Sequence, residues 1–475
     1  MNVSKILDEV WPQLRPYQQD GIRYMMHRQH NLNWDDMGLG KTVCTLFTAI
    51  YKAREMFEAR DYDGYQHPIL ICCPTKALFV WREEITKWFH LDSTIYWGTP
   101  AQRKKIDKHK APFLITTYGM MKELSNSTWT GLICDEIHEV GILNQKTNTY
   151  AELCQLRGKI NFSFLLTGTP IRQGVIDNFA PLHFVDGNVF QNYWQFVNTY
   201  CITIATAFGK DIQRNPRDIA AYRSMIGKYR LRRIKTEVLK DLPGKQRQAI
   251  PLQMTPIQAK AHHDVLEEYI YADDDSIVVS PNAMTAILRA RQILVSPRLL
   301  GIDDDGVGLT YIKDEGRTLL ESGKPFVVFT PFRQAIAIIA DVIQELHLGT
   351  KIYTITGGLN PVEFARQWQG FQDPSNKNKV LLCVIKSGAS FHATEAADCF
   401  FLGYEWDFNY NVQSEDRLCR MGQKNFVHCR YLLHEGTVDE QVKSRLNSKN
   451  DASNWIIGTD EQYKMMLRKV RAKID

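Results

Sequence analysis

The chain has 475 residues, is 44% hydrophobic and 23% charged, and carries a formal net charge of +5. That length calls for more than one domain, and a balance so near neutrality excludes a globally basic polyanion binder, so any nucleic-acid surface must be local. No apolar run reaches the ~18 residues of a membrane span, and ten scattered cysteines without a C-x-x-C pair argue against a disulfide framework or zinc site.

The start, Met1 to Glu9, is charged early and has no signal-peptide core. The expected location is the cytoplasm of a bacterial or phage-infected cell, or the nucleus in a eukaryote. Residues 11–30 bring Trp-Pro-Gln-Leu-Arg-Pro-Tyr-Gln and a helical pattern with Ile22, Met25 and Met26 on one face. A short extended run, Asn31 to Trp34, then leads into Asp35-Asp36-Met37-Gly38-Leu39-Gly40-Lys41-Thr42, and a helical pattern follows from Val43 to Tyr51. A glycine-rich turn between strand and helix turns several N–H groups into one hollow, which the helix dipole makes favourable for a polyphosphate. Lys41 can reach the β- and γ-phosphates of ATP, and the Thr42 hydroxyl can hold Mg²⁺. Asp35 stands where the strict phosphate-loop pattern has glycine.

Buried-strand runs follow at Ile69–Cys73, Phe113–Ile115, Leu132–Cys134 and Phe162–Leu166. They end in Pro74-Thr75-Lys76, Thr116-Thr117-Tyr118, Asp135-Glu136 and Thr167-Gly168-Thr169-Pro170. Apolar run, polar loop and helix alternate, as in a parallel sheet covered by helices, whose chemistry lies at the carboxyl ends of the strands. Residues 175–240 lose this rhythm and read as helical, and Pro243-Gly244-Lys245 reads as a hinge. Residues 255–297 are helical again. The strand rhythm restarts at Phe326–Phe329 and recurs at Lys351–Ile355, Val380–Val384, Cys399–Leu402 and Val427–Leu432. The expected fold class is therefore α/β. Residues 1–240 form a first lobe with a helical protrusion at about 175–240, and residues 241–325 a linker with a second helical protrusion. Residues 326–475 form a second lobe with a C-terminal basic helix (Lys464, Arg468, Lys469, Arg471, Lys473).

Asp135-Glu136 offers one carboxylate for Mg²⁺ and one for the attacking water, although acid pairs also open ordinary helices. His138 can couple this loop to its neighbours, and the hydroxyls of Thr167 and Thr169 suit a loop that senses the γ-phosphate. Arg417 and Arg420, at i and i+3, would share a helix face from which two guanidinium groups reach a phosphate. A solvated charged face is the plain alternative.

In order and spacing, Asp-Asp-Met-Gly-Leu-Gly-Lys-Thr, Asp-Glu-Ile-His, Leu-Thr-Gly-Thr-Pro and Gln-Ser-Glu-Asp-Arg-Leu-Cys-Arg-Met-Gly-Gln resemble the motifs of Swi/Snf-type ATPases of helicase superfamily two. That family also has an acidic residue at the position of Asp35. Leu14-Arg15-Pro16-Tyr17-Gln18, Leu231-Arg232-Arg233-Ile234-Lys235 and Gly436-Thr437-Val438-Asp439-Glu440 extend the resemblance from about Leu14 to Gln441. It implies two RecA-like lobes with ATP in the cleft between them. It also implies adenine reading by Gln18 and nucleotide binding along Asp36, Met37, Gly38, Leu39, Gly40, Lys41 and Thr42. Mg²⁺ would be held by Thr42 and Asp135, Glu136 would act on water, and Arg417 and Arg420 would be arginine fingers. Coupling would run through His138, Thr167, Thr169 and Gln413. Thr75, Lys76, Thr117, Tyr118, Thr330, Ser387 and Gly388 match motifs that touch the nucleic-acid backbone.

The implied activity is a DNA-dependent ATPase that translocates along or remodels duplex or branched DNA without reading its sequence, with replication or recombination proteins as candidate partners and no membrane. A strand-separating or branch-migrating helicase is the alternative, and a non-hydrolysing ATP-switched clamp a further one. The chain departs from the pattern at Trp34, at Lys386-Ser387-Gly388-Ala389-Ser390-Phe391 and at Trp406-Asp407-Phe408. It shows no large insertion in the second lobe and no flanking chromatin-reading module, which points to a compact bacterial or viral member or one near the annealing-helicase branch.

Overall fold

A computed structural model describes residues 3–58, 67–171, 174–206, 209–269, 272–273, 276–277, 283–387, 391–406 and 408–439. The chain divides into two units between Lys240 and Asp241. Gly388, Asp407 and the basic C-terminal segment lie outside the described residues.

The first unit contains β1 (His30–Asn33), β2 (Ile69–Cys73), β3 (Ser93–Tyr96), β4 (Phe113–Thr117), β5 (Trp129–Cys134), β6 (Ile160–Leu166), β7 (Cys201–Thr206), β8 (Gly209–Pro216) and β9 (Arg230–Leu231). Seven of them make one parallel sheet in the order β3-β4-β2-β5-β6-β1-β9. Its central strands are buried on both faces, so they read as unbroken apolar runs rather than as alternating ones. Along β2, Leu70 and Cys72 join one core, and Ile69, Ile71 and Cys73 join the other. The second core also takes Ile6, Leu7 and Val10 from the helix Val3–Val10, Ile22 and Met25 from the helix Pro16–Met26, and Val43, Phe47 and Ile50 from the helix Lys41–Glu58.

Several elements depart from the sequence reading. The stretch 175–240 holds an antiparallel hairpin, β7 with β8, between its helices. Its strand Cys201-Ile202-Thr203-Ile204 leaves Ile202 and Ile204 39% and 52% exposed, so no buried run announced it. The edge strand β3 is four residues long and only partly buried, which hid it in the same way.

The second unit contains β10 (Lys245–Leu252), β11 (Ala272–Asp273), β12 (Ser276–Ile277), β13 (Phe326–Thr330), β14 (Lys351–Ile355), β15 (Lys379–Val384), β16 (Asp398–Leu402) and β17 (Val427–His434). Six form a parallel sheet in the order β10-β17-β16-β13-β15-β14. The segment 241–325, expected to link the lobes, begins with β10, which pairs with β17 along its whole length. As an edge strand it alternates Lys245, Gln246, Arg247 and Gln248 and is mostly not buried, the composition that protects a sheet edge. Both units are thus α/β lobes of the RecA-like kind.

One buried carboxylate fastens that edge. Glu415 has no exposed side-chain surface and sits on the helix Phe408–Leu418. It takes Lys245 Nζ at 2.7 Å, Arg247 Nε at 2.7 Å and Nη2 at 2.8 Å, and the Tyr431 hydroxyl at 2.7 Å. Burial alone would push its pKa up, but Lys245 and Arg247 outweigh burial and hold the carboxyl below the usual range. A single residue thus joins β10, β17 and the arginine-bearing helix. Glu415→Leu should cost about 3 kcal/mol, because it leaves Arg247 without its counter-charge and Lys245 with Asp416 alone. Urea unfolding would check this, and a midpoint within error of wild type would refute it. In the wild type this stabilisation is present above the ordinary carboxylate pKa and is lost only as pH falls through the lowered value.

Candidate nucleotide site

All strands of the first sheet are parallel, so β1, β2, β4, β5 and β6 deliver their following loops to one edge. At β1 the chain passes through Asp35–Gly40 into the helix Lys41–Glu58. Gly38 and Gly40 have φ of 83° and 79°, a left-handed backbone that side-chain-bearing residues disfavour. A Cβ on Gly40 would meet the Gln18 side-chain amide, which would have to swing aside. Lys41 Nζ donates to the carbonyls of Asp35 at 2.9 Å and Asp36 at 3.3 Å. Thr42 is half-buried in the first turn of the same helix.

The two aspartates face away from the hollow, toward residues 230–235. Asp35 is fully buried and ion-paired with Arg233, whose Nε lies 3.1 Å from both carboxylate oxygens. The backbone N–H of Arg233 adds a bond of 2.8 Å to Asp35 Oδ1. Arg233 also donates to the Tyr17 carbonyl and lies over the Tyr17 ring. Burial opposes its charge, but the hydrogen bonds and charge of Asp35 outweigh burial and raise its pKa. Arg232 pairs with Asp36 at 2.7 Å and donates to the carbonyls of Trp34 at 2.6 Å and Gly168 at 3.3 Å. Asp36 also accepts from Lys235 N at 2.9 Å. The segment after β9 therefore braces the loop from outside. Trp34 is placed in the same way: its ring is fully buried in the core and its backbone N–H donates to the Leu231 carbonyl at 2.8 Å, while its indole N–H has no acceptor among the described residues.

At the end of β5, Asp135 accepts from Trp81 Nε1 at 2.9 Å and from the N–H of Glu136 at 3.0 Å. Burial first, and Glu136 second, push the Asp135 carboxyl up to about 7, while Trp81 and Lys41 pull the other way. Lys41 is thus close enough to Asp135 to act on its charge. Glu136 has φ of 48°, left-handed for a residue with a side chain. Its Oε2 is buried without a hydrogen-bond donor among the described residues, and His138 Nδ1 stands 3.3 Å away. His138 Nδ1 is also 2.9 Å from Thr167 Oγ1, which accepts from Thr169 N at 3.0 Å. A Cβ on Gly168 would lie 2.8 Å from Met37 Cγ and 3.5 Å from Lys41 Nζ, so the Thr167–Thr169 loop lies directly against the phosphate loop.

A family model described as the SNF2-related domain matches residues 17–299, more than half of the chain. The chain belongs to the SNF2-related family. Among curated relatives, the human "DNA annealing helicase and endonuclease ZRANB3" is 26% identical over 93% of this chain and 40% of its own length. A Drosophila melanogaster "SWI/SNF-related matrix-associated actin-dependent regulator of chromatin subfamily A-like protein 1" is 26% identical over 94% of this chain and 56% of its own. The Danio rerio "Chromodomain-helicase-DNA-binding protein 8" is 24% identical over 92% of this chain and 19% of its own. This chain thus spans about a fifth to just over half of these relatives. A solved "Sulfolobus solfataricus SWI2/SNF2 ATPase core in complex with dsDNA" is 24% identical, with 96% of each chain covered and a TM-score of 0.44.

The remaining motif residues of this SNF2-related chain are placed unevenly. Gln18 is buried, donating to the Leu39 carbonyl at 3.3 Å and accepting from Arg15 N at 2.9 Å, so reading adenine would require exchanging an internal contact. Thr75 is exposed and Lys76 half-buried. Thr117, Tyr118, Thr330 and Ser387 are buried, and the Tyr118 hydroxyl donates to the Asp135 carbonyl at 2.5 Å. Arg417 and Arg420 do not share a helix face, because the helix ends at Leu418 and Arg420 stands in the turn beyond it. Both guanidinium groups reach the Phe391 carbonyl, at 3.2 and 3.3 Å. Arg417 is 4% exposed, and Arg420 is half-buried. Gln413 is buried in the same helix.

The sequence did not single out Trp81 as a partner of Asp135. The available signal was chemical: a buried indole N–H needs an acceptor. Arg233→Leu should destabilise the first unit by about 3–5 kcal/mol through the unpaired Asp35. Asp35→Asn/Arg233→Leu should recover much of that loss. Thermal and urea unfolding of both variants check the pairing, which fails if the double variant is no better than the single one.

Proposed function

We propose that this chain is a DNA-stimulated ATPase that converts ATP hydrolysis into movement along, or remodelling of, duplex or branched DNA. The observation that carries this reading is one edge of one sheet. There a glycine-bent phosphate loop, a helix N-terminus, Lys41, Asp135 and the donor-free oxygen of Glu136 converge. The similarity to the human DNA annealing helicase and endonuclease ZRANB3 supports DNA as the substrate class.

The residues fit a Mg²⁺-nucleotide. The left-handed glycines open the loop, and Lys41 donates to two backbone carbonyls that a phosphate can replace. Thr42 and Asp135 would hold the ion, which when bound neutralises phosphate oxygens. Glu136, held close by His138, is placed to orient water or take its proton. The chain His138–Thr167–Thr169 gives the phosphate-sensing loop a direct line to that carboxylate. Arg420 is the better candidate to serve turnover, and the more buried Arg417 to fix the Phe391 loop. Thr75 and Lys76 are the motif residues with surface to offer a phosphodiester backbone. Contacts of that kind are salt-sensitive and indifferent to sequence. All ten cysteines are free, which suits a reducing compartment. Among the described residues no helix is long and apolar enough to cross a membrane.

ATPase rate against single-stranded, duplex, forked and four-way DNA is the direct test, and a rate indifferent to every DNA would sink the reading. Lys41→Ala and Glu136→Gln should each abolish stimulated turnover, and Arg420→Ala should lose on the order of 10²–10⁴. Wild-type rates in any of these would remove that residue from the site. The Asp135 carboxyl, raised to about 7, is largely neutral below that pH and charged above it. A cation must displace its proton at low pH, so apparent Mg²⁺ affinity with a nucleotide analogue should rise as pH increases from about 6 to 8. Asp135→Asn should flatten that dependence, and an unchanged slope would show that another group titrates.

A further inference from the structure

The second sheet has an amino-terminal edge, opposite the one that carries its motif loops, and a groove of about 790 Å³ lies along it. Lys324 precedes β13, Lys377 precedes β15, and Lys424 and Phe426 precede β17. All three lysines are exposed, and Phe426 is 47% exposed. The acids of the groove are already engaged: Asp398 takes Arg430 at 2.7 Å, and Glu395 lies 3.6 Å from the buried Lys379. Lys324, Lys377 and Lys424 have no acidic partner among the described residues, so the groove carries a local positive surplus within a chain of net charge +5.

Two further features point to a ligand. Asn376 Nδ2, which lines the groove, is a buried donor without an acceptor, while its Oδ1 accepts from Asn378 N at 3.1 Å. An orphan donor beside three cations calls for an anionic oxygen. The Phe426 ring, 5.3 Å from the His428 ring, gives the same groove an aromatic face. Charges that suit a backbone and a ring that suits a base are the two parts of a single-strand binding surface.

We propose that this groove is a second nucleic-acid site, which holds a single strand through its phosphates at Lys324, Lys377, Lys424 and Asn376, with a base stacked on Phe426. Gly422 and Gln423, the tail of the Gln413–Gln423 motif, border the groove, but Lys324, Lys377, Lys424 and Phe426 are not among the motif residues described above. The inference rests on the DNA reading for its substrate class. Its readout is binding, so it stands or fails independently of hydrolysis.

The test is fluorescence anisotropy of a labelled single-stranded oligonucleotide on the full chain, across a salt series. The variants are Lys324→Glu/Lys377→Glu/Lys424→Glu, Phe426→Ala and Phe426→Leu. The triple variant should bind at least tenfold more weakly, with a plot of log affinity against log salt shallower by about 2, since each lost phosphate contact removes roughly 0.7. Phe426→Ala should weaken binding by about five- to hundredfold without changing that slope, as loss of one stacked base does. Phe426→Leu keeps an apolar side chain beside Gly244, and should match Phe426→Ala if stacking is the cause. Duplex-stimulated ATPase at saturating duplex should stay within about twofold of wild type. Unchanged single-strand affinity and slope in the triple variant would overturn the site. Loss of duplex stimulation in parallel would overturn its independence, and wild-type binding by Phe426→Leu would overturn the stacking.

Discussion

The first lobe depends on a buried ion pair between residues 198 positions apart, Asp35 and Arg233. A phosphate loop must be open enough to admit an anion and rigid enough to aim its N–H groups. Here the rigidity comes from behind the loop. Arg233 takes the first aspartate and Arg232 the second, and β9 adds itself to the sheet edge so that both arrive in register. Because Arg232 also reaches the Gly168 carbonyl, one guanidinium fixes the separation between the phosphate loop and the Thr167–Thr169 loop. A planar fork of donors can meet three acceptors in this way, and a lysine could not.

The second lobe solves a similar problem with the opposite charge. Its centre is an anion, Glu415, surrounded by Lys245, Arg247 and Tyr431. In each lobe a motif segment is clamped to a strand at or next to the sheet edge. Motif residues that look like candidates for chemistry therefore divide into those that face a ligand and those that hold them in place. Asp35, Asp36 and Glu415 make bracing contacts of the second kind.

The alternation of apolar runs and loops was enough to read both sheets, because buried parallel strands are continuous in sequence. Three of the four edge strands were lost for the converse reason: β3, β9 and β10 are short or polar and look like loops until a partner is known, whereas the edge strand β14 was read. The phosphate loop, the acid pair and the Thr-Gly-Thr-Pro loop were legible as motifs, and the structure brings them together. What they do to one another was not legible. The pairing of Asp35 with Arg233, the indole above Asp135 and the ending of the helix before Arg420 depend on contacts between segments far apart in the chain. Trp34 was opaque because its role is to fill a core assembled from elsewhere.

The strand order of the second sheet also bears on how the protein is made. β10 is the first strand of that lobe to leave the ribosome, and its one neighbour, β17, is the last described. About 180 residues of synthesis separate the two, so throughout that time β10 offers both sides of its backbone to any passing strand. Its lysine, arginine and glutamines, which make little sense as core material, are what keep such a segment from sticking while it waits. The same order makes closure of this sheet wait for β17, which must enter between β10 and β16, and the Glu415 clamp is complete only once it has.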